Sequence, residues 1–300
     1  MALARIKKSL ALILIAALLT GSAGSAIRQI GLTNNYLAAK LSLTPSVEII
    51  GVLKTDPTWS RPKVIGSRFR SRSMTMLASI SQISIAGENK KLRLPVRITS
   101  PEFVDLIPGE KFRVSGVAFP TAERRVAALI ATQGGFVKLS EANFLQRASG
   151  RIRDSFRKSA QSIGGASGAL IPGLVIGDTS LQELEFTTDM RRVGLSHLTA
   201  VSGANFAIIA AFLLWLSQWF FRRVRSRLIL TSAVLIGFIF LVRPSPSVLR
   251  ASVMSAVILI ARARGVKADS IPSLGLAISF LILMDPFQAI DPGFALSVAA

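Results

Sequence analysis

The polar side chains best placed for chemistry fall in one run: Gly177-Asp178, then Arg191-Arg192-Val193-Gly194-Leu195-Ser196-His197-Leu198-Thr199-Ala200-Val201-Ser202-Gly203-Ala204-Asn205. His197 is the only histidine and cysteine is absent, which excludes histidine-rich and thiolate metal centres within this chain. His197 and Asn205 are two helical turns apart, so they share a face if the helix has formed by His197. Ser202 follows His197 without an evident acid partner, and a Ser–His hydrolase is therefore not supported. Ser202-Gly203 fits close helix packing as well as a polar path, and His197 fits a satisfied interfacial histidine equally. Arg250 stands alone in an apolar run. Arginine at a bilayer centre costs roughly 2.5–3.5 kcal/mol on insertion scales. So near a helix end, Arg250 either snorkels to the headgroups or faces a cavity used by phosphates.

A third group is basic and lies upstream: Arg61, Lys63, Arg68, Arg70, Arg72, Lys90, Lys91, Arg93 and Arg97. Such a cluster is an electrostatic funnel for a polyanionic strand, with lipid headgroups as the competing anion. Trp59, Phe69, Phe103 and Phe112 are few for base stacking, so contact with the sugar–phosphate backbone is expected over base reading. The whole chain carries a formal charge of +20, and excess base implies an anionic partner.

The elements that must hold these residues are of two kinds. Half of the residues are hydrophobic, only 17% are charged and the mean hydropathy is +0.51. The apolar stretches Leu10–Leu19, Leu198–Phe221, Leu228–Val242, Val248–Ala261 and Ile271–Met284 hold no charge except Arg250. With its flanks, Ser9–Ala26 approaches the roughly 20 residues that span a hydrocarbon core. Arg5, Lys7 and Lys8 before it and small residues after it fit a cleavable signal peptide or an uncleaved anchor. Either one exports the chain on its C-terminal side.

Between Ser46 and Leu139 the period is that of strands, at Val47–Leu53, Lys63–Phe69, Thr75–Ile85, Arg93–Ile98 and Lys111–Val117, with a Pro108-Gly109 turn. Five or six short strands suit a barrel of the OB type or a small sandwich. Over Glu141–Ile163 the period becomes helical. Phe144, Ala148, Ile152, Phe156 and Ala160 form a stripe, and arginines and a lysine cover the other faces. Such a helix lies in a membrane surface or packs on the β domain. Arg222, Arg223, Arg225 and Arg227 form one cytoplasmic cluster, and Arg262, Arg264 and Lys267 a second, which puts the β domain outside. The third and fourth apolar stretches are short, and Ala166–Gly177 is expected to break at Pro172-Gly173. Such segments persist at membrane depth only inside a bundle or beside a water-filled cavity.

The run from Gly177 to Asn205 resembles the ComEC family of competence proteins, the inner-membrane channels for DNA uptake. The family pattern is Gly-Asp, then Arg-Arg-x-Gly-Leu-x-His-Leu-x-Ala-Val-Ser-Gly with Asn or His close behind. Pro246-Ser247-Val248-Leu249-Arg250-Ala251 resembles its Ser-x-x-Arg-Ala helix start. Asp285-Pro286 and Asp291-Pro292-Gly293-Phe294-Ala295-Leu296-Ser297 resemble its Asp-Pro…Gly-Phe-x-Leu-Ser element. The resemblance implies a polytopic α-helical membrane protein with an external, all-β, OB-like barrel. Its parts are an anchor or signal-like segment (1–26), the β domain (46–140), a basic surface helix (141–163) and the start of a channel domain (164–300). It implies a path for single-stranded DNA through Asp178, Arg191, Arg192, His197, Ser202, Gly203, Asn205 and Arg250. The implied partners are that DNA, membrane lipids, a DNA receptor, a cytoplasmic translocation ATPase and further copies of the chain. No cofactor and no catalysis are expected, because the His-x-His-x-Asp-His signature of the family's nuclease-type domain does not occur here. The sequence stops at Ala300 inside the last motif, as expected of a fragment or a broken gene. From another class, the competing expectation is a membrane-anchored scaffold whose basic domain binds anionic lipid.

Overall fold

In the computed structural model, alternation of apolar and polar residues is converted directly into strands with one buried face. The structure describes residues 21, 23–43, 45–60, 63–65, 68–70, 72–194, 203–243, 246–265, 270–290, 294–295 and 298. It divides into two units. One is Arg28–Ser159 with Gln182–Phe186, and the other comprises Met1–Ile27, Ala160–Leu181 and Thr187–Ala300.

The first unit is a sheet domain. Its strands are β1 (Ser46–Leu53), β2 (Thr58–Trp59), β3 (Lys63–Ile65), β4 (Arg68–Arg70), β5 (Met74–Ile85), β6 (Glu88–Lys90), β7 (Leu94–Ser100), β8 (Lys111–Phe119), β9 (Ala128–Ala131) and β10 (Val137–Ser140). β1 pairs with β5, β5 with β7, β7 with β9, β9 with β8, and β8 returns to β1. The pairings therefore close on themselves, and only β7–β9 is parallel among the five. Val47, Ile49, Met76, Ile80, Val96, Ile98, Phe112, Val114 and Ile130 fill the enclosed core, each 2% exposed or less.

Two local devices allow that closure. The β1–β5 register shifts at Ile50/Gly51, and Ser81 is the extra residue, its hydroxyl donating to the Ile50 carbonyl at 3.0 Å. The burial alternation of β5 changes phase at the same point, as a bulge requires. In β8, a Cβ on Gly116 would sit 2.5 Å from the Ala131 carbonyl oxygen, so the close approach of β9 needs glycine there.

The expected single strand over Lys63–Phe69 is instead a hairpin of two three-residue strands, β3 and β4, pairing Lys63 with Arg70 and Ile65 with Arg68. β9 and β10 have no counterpart among the expected strands. Helix α1 (Tyr36–Lys40) begins at Asn35, whose side chain accepts from the Ala38 amide at 2.9 Å. Residues 23–33 are also helical, so helix continues beyond Ala26; the apolar run Leu10–Leu19 lies outside the described residues.

Helix α2 (Phe144–Ile163) meets the β unit with a small and polar face. Ser149 and Arg153 are buried, Arg153 pairs with Asp56 at 3.4 Å, and Gly150 faces Ile107. Phe144, Leu145 and Ile152 are 73%, 50% and 54% exposed. Much of the expected apolar stripe thus points away from the β unit.

The second unit holds α3 (Gly165–Ile176), then α4 (Leu184–Arg192), which begins in the first unit, followed by α5 (Gly203–Phe220), α6 (Val224–Val242), α7 (Pro246–Ala263) and α8 (Ser270–Met284). The break expected at Pro172-Gly173 does not occur: α3 runs through Pro172 and ends at Gly177, φ 68°. Proline lacks one amide and crowds the carbonyl one turn earlier, yet the helix stays continuous across it. Phe206, Ala210, Leu228, Leu235, Val242, Val248, Ala251 and Leu259 make a core shared by α5, α6 and α7. Phe206 and Phe238 meet at 5.9 Å between centroids.

α6 and α7 have 19 and 18 residues, longer than the apolar stretches that announce them. The helices absorb Arg225 and Arg227 at one start and Pro246 at the other. Eighteen residues rise about 27 Å, close to a hydrocarbon core of about 30 Å. Among the described residues, α6 alone is long and apolar enough to cross a membrane; Gly165–Ile176, Phe206–Phe220 and Ser273–Met284 are shorter apolar helical stretches.

Candidate nucleic-acid interface

On the first unit, β5 and β7 lie side by side and offer their less buried face between two connections. These are the β1–β5 connection (54–73) and the β8–β9 connection (120–127). Across this face Thr75 pairs with Thr99, Leu77 with Arg97 and Ser79 with Pro95. Arg97 therefore sits at its centre. Its Nε and Nη2 donate to the two oxygens of Glu123 at 2.6 Å each, a forked ion pair that raises the Arg97 pKa above its ordinary value. Glu123, reaching in from the β8–β9 connection, carries no signal in the sequence because its partner is distant along the chain. Arg124 beside it is exposed.

The β1–β5 connection holds the densest basic run. Between Asp56 and Glu88 the sequence has no acidic residue, while Arg61, Lys63, Arg68, Arg70 and Arg72 all fall there. The hairpin β3–β4 puts Lys63 opposite Arg70, with Arg68 one strand position beyond Phe69. Arg72 is exposed, and its guanidinium carbon lies 5.3 Å from the centroid of the Trp59 ring. Arg61 lies outside the described residues. Of the four aromatic candidates, Phe112 is fully buried against Phe136, whereas Trp59 is 39% and Phe103 70% exposed. Exposed carboxylates at Glu102 and Asp105 flank Phe103 and disfavour a phosphate beside it.

Lys90, Lys91 and Arg93 are exposed at the β6–β7 turn, with the Lys90 ammonium 5.8 Å from the Tyr36 ring centroid. Tyr36 anchors α1 to that edge of the sheet. Its hydroxyl donates to Glu88 at 2.5 Å and accepts from Lys40 at 2.9 Å. The hydrogen bond from Tyr36, with the Lys40 charge behind it, holds the Glu88 carboxyl below the usual range, and the same hydroxyl raises Lys40. Glu110 is buried, accepts from the Ile107 amide at 2.9 Å and pairs with Lys138, raising the lysine.

On the second unit the motif residues separate into structural and unassigned groups. Gly177 ends α3 in the left-handed region, and the Asp178 amide returns to the Pro172 carbonyl at 3.0 Å. The Gly177 amide also returns to the Gly173 carbonyl at 3.1 Å, a left-handed glycine stop. The buried Asp178 carboxylate then accepts from the Ser180 amide at 3.0 Å, so the Gly-Asp pair shapes the turn after α3. Arg191 and Arg192 are exposed on the last turn of α4, where cations complement the helix dipole, and Arg192 pairs with Asp189 at 3.3 Å. Gly203 opens α5 and Asn205 follows in its first turn. His197 and Ser202 lie outside the described residues. Arg250 is half-buried in α7, with its Nε buried and without a hydrogen-bond partner.

A cavity of about 310 Å³ lies between α5 and α7, lined by Ala207, Ala210, Leu214 and Gln218 from one helix and Ser255 and Arg262 from the other. The alanines leave the space, and both helices contribute a polar residue near their C-terminal ends. Phe212, Trp215, Trp219 and Phe220 are exposed along the last two turns of α5, immediately before Arg222 and Arg223.

Residues 174–300 match the family described as Competence protein. The chain is also similar to ComE operon protein 3 of Bacillus subtilis (strain 168), with 31% identity over 135 residues. That stretch is 44% of this chain and 17% of the relative, so the chain spans a minor part of the protein it matches. No solved structure matches it. The likeness to competence proteins that the motifs lead one to expect is thus found over residues 174–300.

Proposed function

We propose that this chain forms part of the inner-membrane path by which single-stranded DNA enters the cell in natural transformation, with the β unit outside and α5–α8 in the bilayer. The observation that carries this reading is the competence-family match over residues 174–300. The closed circuit β1-β5-β7-β9-β8, with its one parallel pair, supports an OB-type barrel. In that fold the face of the second and third strands, here β5 and β7, takes oligonucleotides between flanking loops. The basic β1–β5 connection is one of those loops. Sequence-neutral attraction for phosphates follows from its charge.

A multi-pass arrangement accounts for apolar side chains left in the open on several helices. Ile208, Phe212, Ile229, Ile236, Leu276 and Phe280 are each at least half exposed, an arrangement suited to lipid. The exposed Trp215 and Trp219 before Arg222 read as an interfacial belt at the cytoplasmic side. Gln218 and Arg262 line one cavity, in keeping with α5 and α7 both ending at that side. The path itself performs no covalent chemistry. Its further partners would be the DNA receptor and the translocation ATPase of the competence machinery.

A second reading has its own observation. The exposed Phe144, Leu145 and Ile152 of α2, beside the exposed Arg151 and Lys158, fit a scaffold seated on anionic lipid. The two readings part in one measurement on the purified full chain in zwitterionic nanodiscs. The uptake reading expects single-stranded DNA of any sequence to bind, with affinity falling steeply as salt rises. No DNA binding, together with tight association with anionic vesicles, would leave only the scaffold.

A further inference from the structure

We infer that Trp59, backed by Arg72, is a stacking site for an unpaired nucleobase, and that it makes the β unit prefer single-stranded to duplex DNA. The inference rests on the proposed DNA-binding function and adds to it a contact with the base.

The indole is held on a rigid mount. Trp59 belongs to β2, where Thr58 pairs with Thr75 and Trp59 with Met74. The next residue continues the attachment: the Ser60 amide donates to the Ser73 carbonyl at 2.8 Å, the Ser73 amide to the Ser60 hydroxyl at 3.2 Å, and the two hydroxyls lie 3.1 Å apart. A ring in this position is held before ligand arrives, so little side-chain entropy is lost on stacking. It is nevertheless 39% exposed. A large aromatic so firmly tied to a sheet is normally drawn into the core, as Phe112 is.

The surroundings select the ligand. Arg72 lies 5.3 Å from the ring centroid, within cation–π range, and the uninterrupted basic run of the β1–β5 connection surrounds the pair in sequence. Such a site draws phosphate to the cations while the indole offers an apolar face for the attached base. Its sequence neighbours Thr58 and Ser60 and the nearby Arg72 and Ser73 are polar, and its one apolar strand partner, Met74, is buried. An indole placed to enter lipid would have apolar side chains beside it, as Trp219 has Phe220. Duplex DNA hides its base faces within the stack. Single strands expose them, and every base has a π-face, so the preference carries no sequence code.

The test uses the full chain in zwitterionic nanodiscs, with Trp215→Phe and Trp219→Phe so that Trp59 is the only emitter. Oligothymidylate should quench Trp59, and duplex DNA should not. Trp59→Ala should weaken oligothymidylate binding about 5- to 150-fold, the effect of about 1–3 kcal/mol per stacked base, and leave duplex affinity unchanged. Trp59→Phe should recover most of the loss, which separates stacking from damage to the strand. Arg72→Gln should weaken single-strand binding and lower the salt slope by about one. If Trp59→Ala binds oligothymidylate within about twofold of its parent and keeps the salt slope, the stacking site is refuted and the DNA-binding reading stands. If the parent binds no DNA, both fall. Quenching of Trp59 by brominated lipid without DNA would place the indole in the bilayer and also overturn the inference.

Discussion

Replacing Leu145 and Ile152 together by glutamine tests whether the outer face of α2 is made for lipid. The two side chains are 50% and 54% exposed. Full burial of such a residue contributes about 1.5–3 kcal/mol, so the exposed half of each still has about 1 kcal/mol to gain from an apolar phase. The pair is thus worth about 2 kcal/mol of membrane affinity, close to thirtyfold in partition. Glutamine is at least as good a helix former as isoleucine, and exposed substitutions usually shift stability by no more than about 0.5 kcal/mol. The thermal midpoint of the Arg28–Ile163 stretch should therefore barely move. Sedimentation with anionic vesicles should show the thirtyfold loss. Neutralising Arg151 and Lys158 should weaken binding to anionic but not zwitterionic vesicles, because each cation contributes about 1 kcal/mol only near a negative surface. Unchanged vesicle binding with a large drop in thermal stability would mean that protein covers the stripe, and the membrane-surface reading of α2 would be wrong.

Two further outcomes test the placement of the helical unit. The chain has no cysteine, so Ser226→Cys and Ala122→Cys each introduce one thiol. In intact cells an impermeant reagent should label Ala122→Cys, on the exposed β8–β9 connection, and should reach Ser226→Cys only after permeabilisation; the reverse pattern refutes the proposed orientation. In a full-length homologue carrying this stretch, Arg250→Leu should abolish transformation with near-normal protein abundance, while Arg250→Lys keeps much of it, since a point charge still attracts phosphate. Transformation unaffected by Arg250→Leu removes this residue from the path.

The legible parts of the fold are those whose pattern is carried by residues near in sequence. β1, β5, β7 and β8 each alternate because one face is buried and the other is not, and their expected spans differ from the observed ones by a residue or two. β9 leaves no such mark, because Ala128-Leu129-Ile130-Ala131 lies between β7 and β8 and is short and apolar throughout. Hydropathy alone makes α6 too short, because Arg225 and Arg227 read as loop. An arginine in the first turn does not end a helix, and Arg227 even donates its Nε to the Phe221 carbonyl at 2.7 Å. Pro172 misleads in the opposite direction, since α3 runs on through it to Ile176.

The functional surface is legible as charge but not as pairing, and pairing changes what the charges can do. By spacing alone the nine basic residues form one funnel, yet they are not equivalent. Arg97 already holds a carboxylate in a forked, partly buried pair, so a phosphate there must compete with Glu123 at a site bonded through two donors. Arg72 sits over an indole and is exposed. Lys90 lies near the Tyr36–Glu88–Lys40 cluster, whose depressed carboxyl keeps a negative charge beside it at neutral pH. The strand nearest the β1–β5 connection should therefore meet the most available positive charge and the only exposed indole of the sheet together. Under the proposed function, a polyanion drawn there meets a stretch with no acidic residue between Asp56 and Glu88, whereas at Arg97 it must compete with Glu123. That difference follows from which cations are already engaged, a property that net charge and spacing in the sequence do not contain.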